Sequence, residues 1–77
     1  MKSYELTPAA LRALKKIRED IDFEDGPTLL DDVLGVLHLL ANLRHEDQQL
    51  CLELKAIPPA ARASLSLAIR AARWRGL

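Results

Sequence analysis

One segment restricts the fold of this chain more than any other. From residue 29 to residue 43, ten of fifteen residues are apolar, and the eleven residues from Val33 to Leu43 carry no formal charge. A membrane-spanning helix needs about twenty apolar residues, so this segment is too short to cross a bilayer. Four of the five polar exceptions recur at helical spacing and form a single narrow stripe: Asp31, Gly35, His38 and Asn42. The pattern predicts a helix that is apolar over most of its circumference.

Such a helix is either central in its domain or buried on two sides. Because a chain of 77 residues buries only a modest part of its surface, the second side is expected to meet another chain. The sequence therefore predicts a homo-oligomer, with a dimer favoured, or a complex with a different protein. The stripe assigned to the intrachain core is Leu29, Val33, Val36 and Leu40. The residues predicted to form the interface are Leu30, Leu34, Leu37, His38 and Ala41, and the reverse assignment of the two stripes stays open.

The composition predicts an all-α protein. The chain contains sixteen Leu and eleven Ala but only one each of Phe, Tyr and Trp, and both abundant residues enter helices at little cost. We expect one domain over residues 1–77, folded as a small three- or four-helix bundle that is oligomeric. The single Cys51 excludes an intrachain disulfide, and no signal segment or membrane span is evident, so we expect a cytoplasmic location.

Local signals predict four helices, at about 8–22, 27–43, 45–57 and 59–74. Thr7 and Pro8 form a typical helix start, and Pro58-Pro59 ends the third helix because proline cannot continue the hydrogen-bond ladder. The polar run Arg44–Gln49 favours a turn between the second and third helices. One continuous helix is the alternative, since no Gly or Pro interrupts residues 36–57 and the apolar spacing continues through them.

The net charge is zero, but the charges are unevenly distributed along the chain. Seven acids and no Lys or Arg lie between Glu19 and Leu43, whereas five bases and no acid follow Glu53. The acidic joint before the second helix predicts contacts to a basic partner through Asp22, Glu24 and Asp25. The basic C-terminal helix predicts contacts to an anionic partner through Arg62, Arg70, Arg73, Trp74 and Arg75. A nucleic-acid-associated transcriptional regulator is the alternative function, although the pI of about 6.7 is low for one.

The acidic joint resembles a calcium loop in composition but not in register. Such a loop needs Gly at its sixth position and a bidentate Glu at its twelfth. Counted from Asp20, these positions hold Asp25 and Asp31, and Gly26 falls one place late. The sequence therefore predicts a structural turn between two helices, with no metal site.

No pattern in the chain predicts catalysis, a cofactor or a small-molecule substrate. His38 and His45 are the only histidines, and neither has another ligand at metal-binding spacing. Cys51 lies among leucines, where a thiol is expected to be buried and inert. We expect a non-enzymatic regulatory module that acts by protein–protein interaction.

Overall fold

A computed structural model describes residues 4–40 and 42–73 of the chain, with side chains described up to residue 71. This part of the chain contains four helices and no strand: α1 (Pro8–Asp20), α2 (Leu29–Leu39), α3 (His45–Ala56) and α4 (Pro59–Arg73). The prediction of an all-α helical bundle is confirmed.

Helix α1 starts as the sequence indicates. Thr7 is the N-cap in extended conformation, its hydroxyl accepts a hydrogen bond from the Ala10 amide at 3.3 Å, and Pro8 follows. The helix ends at Asp20, two residues before the predicted end, because Ile21 adopts an extended conformation with φ −131° and ψ 132°. An ion pair of 2.7 Å between Arg18 and Asp25 links the end of α1 to the joint that follows.

Helix α2 is shorter than predicted at both ends. Residues 26–28 form a turn with Thr28 as the N-cap, and Leu40 takes an extended conformation with φ −80° and ψ 132°. Because α3 begins only at His45, the alternative of one continuous helix is wrong for this structure. The break lets α3 turn back against α2 and place Leu50 and Leu54 in the core.

The helices pack as a chain of neighbours: α1 lies against α3, α3 against α2, and α2 against α4. Helix α2 is therefore covered on two sides by its own chain, near the middle of the bundle. One hydrophobic core joins residues from just before α1 to just after α3: Leu6, Ala10, Ala13, Leu14, Ile17, Leu29, Leu30, Val33, Leu37, Leu50, Cys51, Leu54 and Ile57. The burial of Cys51 agrees with its expected structural position.

Within residues 4–40 and 42–73, no helix is both long and apolar enough to cross a membrane.

Candidate interaction surface

The structure corrects the predicted interface of α2. Leu30 and Leu37, assigned to the interface, are 0% and 1% exposed and belong to the intrachain core. Their burial follows from the packing of both α3 and α4 on α2, which widens its buried arc beyond the single stripe expected. Leu34 is only partly buried and His38 is exposed, while Ala41 lies outside the described residues.

The stripe predicted to face the core is buried at one end and partly exposed at the other. Leu29 and Val33 are fully buried as expected, but Val36 is only partly buried and Leu40 is 45% exposed. The most exposed apolar side chain of the helix is that of Leu39, which is 84% exposed and is not one of the predicted interface residues. The sequence contains a signal for this exposure. Leu39 follows Gly35 by four residues and so lies within about 40° of it, on the polar side of the helix.

These exposed residues define one surface, which we call the outer face of α2. It consists of the five exposed residues within the helix: Asp31, Asp32, Gly35, His38 and Leu39. Gly35 is at its centre, because the other four are three or four residues away and therefore adjacent on a helical surface. No heavy atom of the described chain outside the local backbone lies within 4 Å of the position that a Cβ of Gly35 would take. The outer face therefore has an open, shallow centre beside an exposed leucine.

The N-terminal end of α2 is fixed to α4 by a buried serine. Thr28 makes no side-chain capping bond; the Leu30 amide instead donates to the Ser66 hydroxyl oxygen at 3.1 Å. The same hydroxyl donates to the Arg62 carbonyl at 2.7 Å. Ser66 is fully buried, so both its donor and its acceptor capacity are used inside the protein.

Arg62 is part of the same junction, and this corrects its predicted role as a contact for an anionic partner. Its guanidinium group donates to the carboxylate of Asp31 at 2.5 Å and to the carbonyls of Leu54 and Ile57 at 3.0 and 2.8 Å. The side chain is only 15% exposed. Arg62 therefore caps the C-terminal end of α3 and links it to the start of α2.

Of the other residues predicted to contact an anionic partner, Arg70 is the one whose side chain the structure describes. Arg70 is exposed, whereas the Arg73 side chain, Trp74 and Arg75 lie outside what the structure describes. In the acidic joint, Asp22 and Glu24 are exposed, and Asp25 is bound to Arg18. Among the described residues, no three His, Cys, Asp or Glu side chains are grouped so that they could hold a metal ion.

A second polar contact docks the start of α1 on α3. The Glu53 carboxylate accepts hydrogen bonds from the Thr7 amide at 2.9 Å, the Thr7 hydroxyl at 2.6 Å and the Gln49 amide group at 2.8 Å. Partial burial raises the pKa of Glu53, but these hydrogen bonds to the charged form outweigh it and hold the pKa below its ordinary value of 4.5. The contact stabilises the fold, and nothing about it indicates catalysis.

A groove of about 420 Å³ separates parts of α1 and α4. Its apolar lining comes from Leu11, Leu14 and Ile69. The charged residues beside it are of both signs, and two of the bases are already paired, Arg12 with Glu46 and Arg18 with Asp25. The groove therefore has no clear charge preference for a partner.

No protein-family model, curated protein or solved structure matches this chain. A proposal for its function therefore rests on the contacts and exposed surfaces described above.

Proposed function

We propose that the chain is a small, cytoplasmic, non-enzymatic regulatory module that binds proteins, and that it self-associates through the C-terminal part of α2. The observation that supports this most is the exposure of Leu39, 84%, directly before Leu40, 45%. Both residues belong to the longest uncharged run of the chain. An exposed pair of leucines in such a run favours a contact that removes them from water.

The expected association is weak. Burying one exposed leucine side chain contributes about 1.5–3 kcal/mol, and association must first overcome several kcal/mol of lost translational and rotational freedom. A few leucines from each copy therefore support a dimer that dissociates on dilution in the micromolar range. Reversible association of this strength suits a regulatory module, because small changes of concentration change its oligomeric state.

The test is light scattering over a dilution series of the full chain, with Leu39→Asp as the variant. We expect a mass that rises with concentration for the original chain, and loss of this rise for Leu39→Asp, because a carboxylate would have to be desolvated in the contact. Leu52→Asp is the matched control: Leu52 is 63% exposed on α3 and lies outside the proposed contact. It should associate like the original chain.

Two outcomes would contradict the proposal. One is a strict monomer at hundreds of micromolar, and the other is an equal loss of association in Leu39→Asp and Leu52→Asp. Circular dichroism of both variants checks that they remain folded, which is expected because both positions are on the surface.

Binding to nucleic acid has less support than binding to protein. Arg62 is engaged in the interior junction, which leaves Arg70 as the exposed member of the predicted basic set within the described side chains. Duplex DNA binding at low ionic strength that falls steeply with salt, and that the pair Arg70→Glu and Arg73→Glu abolishes, would favour this second function instead.

A further inference from the structure

The outer face of α2 has an arrangement of hydrogen-bonding groups and a shape that are complementary to themselves. Asp31 and Asp32 precede Gly35 by four and three residues, and His38 and Leu39 follow it by three and four. Acidic groups thus lie at one end of the face, an imidazole at the other, and the residue without a side chain lies between them.

From this arrangement we infer that the partner of the outer face is a second copy of the chain, crossing antiparallel with its two-fold axis near Gly35. The inference rests on the proposed function and specifies its partner and orientation. A two-fold contact uses the same patch on both subunits, and with the axis perpendicular to the helix at Gly35 each residue after Gly35 meets a residue before Gly35 of the second copy. His38 of each copy then lies beside Asp31 of the other.

Charge favours this orientation over the parallel one. A parallel pair would bring the Asp31 and Asp32 carboxylates of both copies together, whereas an antiparallel pair separates them, places a hydrogen-bonding imidazole beside each pair and also aligns the two helix dipoles favourably. Asp31 keeps its bond to Arg62, and its side chain is still 44% exposed, so a second donor can reach it. Asp32 accepts a hydrogen bond from the Thr28 hydroxyl and remains exposed.

The shape of the face favours a close crossing. The space above Gly35 is open, so the backbones of two copies can approach there without a collision of side chains. Leu39 lies one turn after Gly35 on the same face of the helix, beside this open space. In the crossing, Leu39 of each copy packs beside the crossing point, which shields both leucines from water.

The test is sedimentation equilibrium of the full chain with three substitutions on α2 and one control. Gly35→Leu should weaken association at least about tenfold, because its side chain fills the crossing point. His38→Asp should weaken it by a similar factor through repulsion from Asp31 of the second copy, while His38→Lys should retain it within about threefold. His45→Asp is the matched control, an exposed histidine at the start of α3, and should change association less than about twofold.

The outcomes separate this inference from the proposed function. If the chain self-associates and Leu39→Asp prevents it, but Gly35→Leu and His38→Asp do not, the antiparallel crossing is wrong and the proposed function stands. If His45→Asp weakens association as much as His38→Asp, the crossing is equally wrong. If no self-association occurs at hundreds of micromolar, both fail. Thermal melts of all variants check that the fold is intact, and His38→Asp, on an exposed position, remains decisive if Gly35→Leu does not fold.

Discussion

The two ends of helix α2 have similar leucine content and different environments. At the N-terminal end, Leu29, Leu30 and Val33 are fully buried. There the Leu30 amide bonds to Ser66, and the side chain of Asp31 bonds to Arg62. At the C-terminal end, Leu39 and Leu40 are exposed, and the Leu40 amide makes a long bond of 3.4 Å to the Leu37 carbonyl. Leucine content does not distinguish the two ends. The position of α4 does, because Ser66 and Arg62 of α4 form hydrogen bonds only with the N-terminal end of α2.

The largest difference between the two ends is expected from truncating one leucine in each environment. Leu30→Ala, at the N-terminal end, should lower the free energy of unfolding by about 2–5 kcal/mol, since it leaves a cavity in a fully buried position. Leu39→Ala should change it by less than about 0.5 kcal/mol in the monomer. Urea unfolding at a concentration below that of self-association measures both. Equal losses would show that the C-terminal end is buried in the monomer, contrary to the structure.

Ser66→Ala isolates the polar bond at the N-terminal end. The substitution leaves the buried Leu30 amide without a partner, so the free energy of unfolding should fall by about 1–3 kcal/mol. Ser64→Ala, at an exposed position of the same helix, is the control and should have almost no effect. If both variants unfold at the same urea concentration as the original chain, the serine does not hold α2 to α4.

The Thr7–Glu53 contact also joins two parts of the fold. Unlike the Ser66 contact, its strength depends on pH, because its acceptor is a carboxylate. The folded-state pKa of Glu53 is below its unfolded value, so its contribution is present above about pH 4.5 and is lost as pH falls through the folded pKa. Glu53→Gln should lower stability at pH 7 by about 1 kcal/mol and reduce the loss of stability below pH 4.5. Urea unfolding from pH 3 to pH 7 measures the change. An unchanged acid dependence in Glu53→Gln would show that other carboxylates account for it.

Gly35→Ala gives the smallest effect and examines the exposed middle of α2. The added methyl group meets open space, and alanine favours a helix over glycine by about 0.5–1 kcal/mol, so the monomer should become more stable by this amount. Thermal unfolding at low concentration measures it. A loss of stability would mean that the outer face is already packed in the single chain.

Part of the fold could be predicted from residues that are close in sequence. Thr7 and Pro8 start α1 where the pattern places them, and α4 begins at Pro59, the second residue of the proline pair that follows α3. The N-terminal end of α2 could not be predicted in this way. It depends on Leu30 meeting Ser66, 36 residues away, and on Asp31 meeting Arg62, 31 residues away.

The residues of the candidate site could likewise be predicted only in part. The apolar character of α2 and the place of His38 on its polar stripe followed from the pattern, but Leu30 and Leu37 lie on the other side from the predicted one. Helical periodicity shows that an apolar arc exists, but it does not show where neighbouring helices lie around that arc. Arg62 was misassigned for the same reason, because an arginine stripe looks alike whether it faces solvent or another helix end.

By itself, the sequence determined that this chain is helical, where α1 and α4 begin, and that one helix is apolar over most of its surface. The reason is that caps, proline and helical propensity act within a few residues of the backbone they affect. Only the tertiary structure decided which leucines of α2 are buried and which arginine forms hydrogen bonds inside the chain. Those outcomes depend on how four helices share one small core, and a chain of 77 residues leaves the far end of its most apolar helix in contact with water.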